Sequence, residues 1–210
     1  MARLIYVMDP MCSWCWGFAP VQQRLAQLAE QHGVACEWRV GGLRRGGAPL
    51  EPAKREAILH HWHAVADATG QPFQHQGALP EGFIYDTEPA CRALVAVGAL
   101  APELQSAYAA AVQRAFYAQG QDVTAAPVLA DVAAELGIPR IEFVDQFDSA
   151  ACRAATEADF AWVEQLGIAG FPTLLAEDQG RLALLNNGYQ PLTALQPLLE
   201  RWLAQVAPNA

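Results

Sequence analysis

No stretch of this chain of 210 residues approaches the roughly 18 to 20 consecutive apolar residues that a membrane-spanning helix requires. The alanine-rich middle is broken repeatedly by Pro, Gly and charge, so no membrane partner is expected. Positive charge is short as well: 13 Lys and Arg stand against 22 Asp and Glu, a formal charge of −9 at pH 7. Affinity for nucleic acid rests largely on Lys and Arg neutralising phosphates, and local pairs such as Arg44-Arg45 are too small to supply it. The apolar part of Met1–Asp9 is too short for a secretory leader, so a cytoplasmic location is expected. No internal repeat or low-complexity linker occurs, and Ala207–Ala210 reads as a frayed tail.

Cysteine is scarce and odd in number, with Cys12, Cys15, Cys36, Cys91 and Cys152, which does not suit a structural disulfide framework. No second Cys-x-x-Cys or suitably spaced Cys/His pair accompanies Cys12 and Cys15, so zinc is not expected there. His60, His61 and His63 lack an acidic or cysteine partner at matching spacing and are read as surface or packing residues rather than ligands. No cofactor is implied beyond a redox-active Cys12–Cys15 pair.

What is present begins with a β-prone run over residues 3–8, closed by Asp9-Pro10 and followed within a turn by Cys12. From Trp16 to about Gln31, Phe18, Val21, Leu25, Leu28 and Ala29 recur at helical spacing, and Gly33 supplies a left-handed stop. A second strand fits 34–40, ending at Gly41-Gly42. This β-α-β unit places both cysteines at the N-terminus of its crossover helix. Stop and start signals from Pro52 to Asp148 divide residues 50–166 into five to seven helices. Strands return at 173–176 and 182–185 as a hairpin around Asp178-Gln179-Gly180. A closing helix over 191–206 groups Leu195, Leu198, Leu199 and Trp202 on one face.

The order β-α-β, helices, β-β-α predicts an α/β thioredoxin fold with a large all-helical insertion: 1–45 and 167–210 form the thioredoxin-like part, 46–166 the insertion. A Cys-x-x-Cys beside a β-α-β pattern reads as a redox site. The attacking species in disulfide exchange is a thiolate, and a helix N-terminus with unpaired N–H groups favours one at Cys12. Cys15, one turn in and less exposed, is expected to resolve the mixed disulfide. Ser13 and Trp14 surround the attacking sulfur; Trp16 and Phe18 either add apolar area there or belong to the core. In Gly170-Phe171-Pro172-Thr173, a proline opening a strand is a candidate cis peptide. The fold order sets it against the cysteines, where the Phe171 backbone could pair with an extended substrate. Cys91 and Cys152 form a second redox pair only if the insertion brings them together; otherwise they pack as small hydrophobes. Cys36, in a strand, is expected to be more buried still. Glu177-Asp178 and Glu157-Ala158-Asp159 read as solvated faces.

Residues 9–18, Asp-Pro-Met-Cys-Ser-Trp-Cys-Trp-Gly-Phe, resemble the active-site segment of cytosolic members of the DsbA-like family, a branch described as predicted protein-disulfide isomerases. Gly41-Gly42-Leu43, Thr87-Glu-Pro-Ala-Cys-Arg92, Gly170-Phe-Pro-Thr-Leu174 and Gly188-Tyr-Gln-Pro191 extend the resemblance over nearly the whole chain. It implies a nucleophilic Cys12, a resolving Cys15 and a cis Pro172 facing them, acting on a protein or small-molecule thiol or disulfide, with glutathione as a possible electron partner. Periplasmic oxidants of the family carry His within the dipeptide and an acid in the first strand. Here Ser13-Trp14 and Tyr6 take those positions, which favours reductase or isomerase behaviour and leaves open which group takes the Cys15 proton. The segment is also similar to kappa-class glutathione transferases and 2-hydroxychromene-2-carboxylate isomerases, which place serine at Cys12. Glutathione-dependent transfer or isomerisation is therefore the rival activity. A chaperone-like binding module using the Trp14 region is the non-enzymatic alternative.

Overall fold

The computed structural model describes residues 2–206. Strand β1 (Arg3–Met8) leads into helix α1 (Ser13–Gln31), and β2 (Ala35–Val40) follows. Six helices then lie between β2 and the next strand: α2 (Pro52–Thr69), α3 (Glu88–Leu100), α4 (Gln105–Tyr117), α5 (Ala126–Glu135), α6 (Arg140–Asp148) and α7 (Ala150–Gln165), with one 3-10 turn at Pro102–Leu104. The chain closes with β3 (Thr173–Asp178), β4 (Arg181–Asn187) and α8 (Leu192–Val206). This is the expected thioredoxin order with its helical insertion.

The sheet order is β2-β1-β3-β4, with β1 parallel to β2 and antiparallel to β3, and β3 antiparallel to β4. β1 lies inside the sheet, and Leu4, Ile5, Tyr6, Val7 and Met8 are all buried, which is why its run reads as continuously apolar. Arg3 joins three strands by pairing with Glu37 on β2 and with Glu177 on β3 at 2.8 Å.

Helix α1 packs against α8 and, from the insertion, against α2 and α4, while α7 packs on β2. Two glycines permit close approaches. A Cβ on Gly17 would lie 2.7 Å from Thr69, so α1 and α2 meet through a bare backbone. A Cβ on Gly41 would lie 2.0 Å from the Phe171 ring, so only glycine leaves room for that side chain beneath the loop after β2. The buried apolar residues of the strands, α1, α8 and the insertion form one cluster.

The apolar period of α1 is legible only from Trp16, but the helix begins at Ser13 with Cys12 in extended geometry as its N-cap, so both cysteines stand at its N-terminus as expected. Several sequence expectations require correction. Cys36 is half-buried rather than the most buried cysteine, because β2 is an edge strand. Asp159 is no solvated carboxylate: it is 6% exposed, takes a hydrogen bond from Arg39 Nη1 at 2.6 Å and another from the Val40 N–H at 3.2 Å. Glu157 pairs with Arg45 at 3.4 Å on the surface, Glu177 is engaged by Arg3, and Asp178 is half-buried. In α8, Leu203 joins Leu195 and Leu199 in the core, whereas Leu198 is 37% exposed. The tail at 207–210 lies outside the described residues.

Candidate active site

Asp9-Pro10 ends β1 and turns the chain, and the turn is closed by the Cys12 N–H donating to the Asp9 carbonyl at 3.0 Å. The carbonyl of Cys12 itself accepts from the Trp16 N–H at 3.1 Å and starts α1. Cys12 thus sits at the N-terminus of a helix of 19 residues, where the first-turn N–H groups have no intrahelical acceptor. Both thiols are free. Cys12 retains 6% exposure and Cys15 none. Burial pushes the Cys15 thiol well above its ordinary range, and the neighbouring Cys12 sulfur raises it further.

The Phe171–Pro172 peptide is cis, and the Phe171 carbonyl lies 3.5 Å from Cys12 Sγ, which donates to it. Segments 159 residues apart in sequence therefore meet at Cys12. Ser13 is buried; Trp14 is half-buried, stacked on Tyr189 at 5.7 Å between ring centres and met edge-on by His61 at 5.7 Å. A cleft of about 490 Å³ opens over Cys12, Ser13, Trp14 and Phe171, with Arg44 and Lys54 also on its wall. Trp16 and Phe18 do not line it. They are core residues, and Trp16 Nε1 donates to the Pro72 carbonyl at 3.0 Å.

Sequence reasoning treated Asp9 only as the end of a strand, yet it organises the site. It is fully buried. Its Oδ1 accepts from the Met11 N–H at 2.8 Å; its Oδ2 accepts from the Leu43 N–H at 2.7 Å, the Thr87 hydroxyl at 2.6 Å and the Cys91 thiol at 3.3 Å. Burial raises its pKa despite these donors, which act in the opposite sense. Tyr85 was also missed; its hydroxyl donates to the Met11 carbonyl at 2.7 Å. The signal was present in the spacing of Thr87 and Cys91, one helical turn apart at the start of α3, but their shared target is remote in sequence.

Cys91 and Cys152 are not bridged. The Cys91 sulfur addresses Asp9, while Cys152 Sγ lies 3.5 Å from the Arg92 carbonyl on α3. His63 stacks on His75 at 3.7 Å and His60 is exposed. Among the described residues no three His, Cys, Asp or Glu side chains are grouped to hold a metal, and no helix is long and apolar enough to cross a membrane.

Comparison with known proteins agrees with this geometry. A candidate protein disulfide isomerase from Nitrosomonas europaea superposes with a TM-score of 0.89 at 45% identity, covering 98% of each chain. The cytosolic disulfide reductase DsbM from Pseudomonas aeruginosa gives 0.81 at 30% identity over 97% of this chain and 100% of its own. DsbM with GSH gives 0.74 at 28% identity over 97% and 96%. A 2-hydroxychromene-2-carboxylate isomerase shares the fold, at 0.65 and 17% identity over 96% of each chain. No curated protein sequence matches. Residues 3–200 match the family model described as DSBA-like thioredoxin domain, and the chain belongs to that family of thiol-disulfide oxidoreductases.

Proposed function

We propose that the chain is a cytoplasmic disulfide reductase or isomerase that works by dithiol-disulfide exchange at Cys12-Ser13-Trp14-Cys15. The observation that carries this reading is the pairing of a Cys12 that keeps 6% exposure and lines the cleft at the N-terminus of α1, against the Phe171 carbonyl, with a fully buried Cys15 one turn behind it. Cys12 as thiolate attacks one sulfur of a substrate disulfide and forms a mixed disulfide, releasing the other sulfur as a thiolate. Cys15 then attacks Cys12 Sγ, the second substrate thiolate leaves, and the pair ends oxidised by two electrons while the substrate is reduced by two. Ser13, Trp14 and Phe171 form the substrate-facing wall, with Pro172 buried beside Phe171. The Phe171 carbonyl is placed for backbone pairing with an extended chain, and Trp14, braced by Tyr189 and His61, offers an aromatic plane.

Glutathione is the proposed electron partner, supported by the similarity to DsbM, which has been solved with GSH. The likeness to a cytosolic enzyme supports a cytoplasmic site of action, where the resting pair is the dithiol. The test is a redox titration against glutathione, with alkylation and mass spectrometry to identify the cysteines that change state. A single two-electron transition confined to Cys12 and Cys15 at about −250 mV is expected, as for a reductase. Stable glutathione binding without exchange would instead favour the transferase or isomerase class. Activity unchanged by joint replacement of Cys12 and Cys15 with serine would favour a binding module.

A further inference from the structure

The cleft over Cys12 is charged in the opposite sense to the chain. The protein carries a formal charge of −9, yet Arg44 and Lys54 stand on the cleft wall and no Asp or Glu does. Among the described residues neither cation makes an ion pair, and Arg44 Nη1 has no hydrogen-bond partner. Asp9 is buried and not part of this wall, and Met11, Leu43, Thr87 and Cys91 donate to it. The fold therefore leaves both cations free for a ligand.

Arg44 is held in place relative to the nucleophile. Its carbonyl accepts from the Thr87 N–H at 2.8 Å, and its guanidinium carbon lies 4.7 Å from the centre of the Tyr85 ring. The Tyr85 hydroxyl in turn donates to the carbonyl of Met11, the residue before Cys12. Guanidinium, ring and the peptide leading to the sulfur are thus joined by direct contacts. Lys54 comes from α2, where it shares the spacing of one helix face with Ala57, Ile58 and His61, all of which line the cleft. Arginine offers a planar fork that matches a carboxylate in two-point contact, and lysine a mobile point charge.

We propose that Arg44 and Lys54 hold a carboxylate of the substrate beside its reacting sulfur, so that the cleft selects disulfides bearing an anionic group. The inference rests on the reading of Cys12 as the nucleophile; it names what flanks the attacked sulfur and adds no step to the exchange. Overall charge would favour a cationic disulfide, so a preference for anions has to come from the cleft itself. The carboxylate can belong to a small peptide thiol such as glutathione or to an acidic residue beside a cysteine in a polypeptide; both present the same group to Arg44.

The test uses three aliphatic disulfides that differ in charge: dithiodipropionate, a dianion; hydroxyethyl disulfide, uncharged; and cystamine, a dication. Second-order rates of oxidation of the reduced protein are followed by alkylation and mass spectrometry. Each variant is compared with the unsubstituted protein on the same disulfide, so the intrinsic reactivity of that disulfide cancels. Arg44→Gln is expected to lose about tenfold more rate with the dianion than with the uncharged disulfide, and to lose least with the dication. Arg44→Lys should recover part of the loss. Lys54→Gln should show a smaller loss in the same order, and it carries the test should Arg44→Gln perturb folding. Salt raised from about 0.05 to about 0.5 M should narrow the differences. Equal losses with all three disulfides, which mark a structural role, would overturn the proposal, as would no loss in either variant or a loss largest with the dication. Oxidised glutathione and two peptide disulfides, with Glu or Lys beside the cysteine, separate the sources: a loss confined to glutathione assigns the small thiol, and one confined to the Glu peptide assigns the polypeptide. If none of the three disulfides oxidised Cys12 and Cys15 of the unsubstituted protein, the exchange reading would fall and the selection with it.

Discussion

Asp9 holds three segments that are distant in sequence. Its carboxylate receives N–H groups from the turn at Met11 and from Leu43 after β2, and the side chains of Thr87 and Cys91 from α3. The donors stabilise the anion, but loss of hydration outweighs them and the pKa lies above the ordinary 3.8. The folded state therefore binds the Asp9 proton more tightly than the unfolded chain does. This contribution to stability is full below about pH 3.8 and is lost as pH rises through the raised folded value. Urea denaturation of the unsubstituted protein and Asp9→Asn across that interval is expected to show the former losing stability relative to the latter as pH rises; a constant difference would contradict it.

Among the elements, α1 shows how a local fault is repaired from elsewhere. Pro20 lies within the helix and has no N–H to donate to the Trp16 carbonyl four residues earlier. That carbonyl accepts instead from Gln71 Nε2 at 3.0 Å, and the following Pro72 carbonyl takes the Trp16 indole N–H. The loop after α2 thus completes the first turns of the active-site helix. Gln71→Ala is expected to lower stability by about 1 kcal/mol, and by much less in a Pro20→Ala background, where residue 20 can donate for itself. A double-mutant cycle in urea measures this, and additive effects would rule it out.

The same scale explains what could be read beforehand. α1 and the cysteine turn were legible because apolar period and turn residues coincide there. No Ser, Thr, Asp or Asn marks the helix start, because Cys12 caps it without a side-chain hydrogen bond; the cysteine pair itself located it. The error at Cys36 came from taking an apolar strand as central; edge position is a property of the sheet. Asp159 was misread because its reason, Arg39, lies on β2, 120 residues away.

For the whole molecule, the thioredoxin order was legible since each element is bounded by local signals, whereas the union of the insertion with the rest in one core was not. Tyr85, Thr87 and Gln71 from the insertion support the turn and helix that carry the cysteines, so the inserted helices belong to the active site's foundation. One cooperative unfolding transition is expected: Trp fluorescence, drawn from 6 tryptophans spread across both parts, and far-UV circular dichroism should give the same midpoint in urea. Separate midpoints would show that the insertion melts independently.

The contact between Cys12 and the Phe171 carbonyl spans 159 residues, and it gives the enzyme a birth order. At synthesis rates of roughly 5 to 20 residues per second, the two cysteines are made on the order of 10 to 30 seconds before Phe171. Until then the nascent chain carries Cys12 and Cys15 as ordinary thiols, without the wall that faces them in the finished protein. The reactive pair is encoded well ahead of the segment that closes against it.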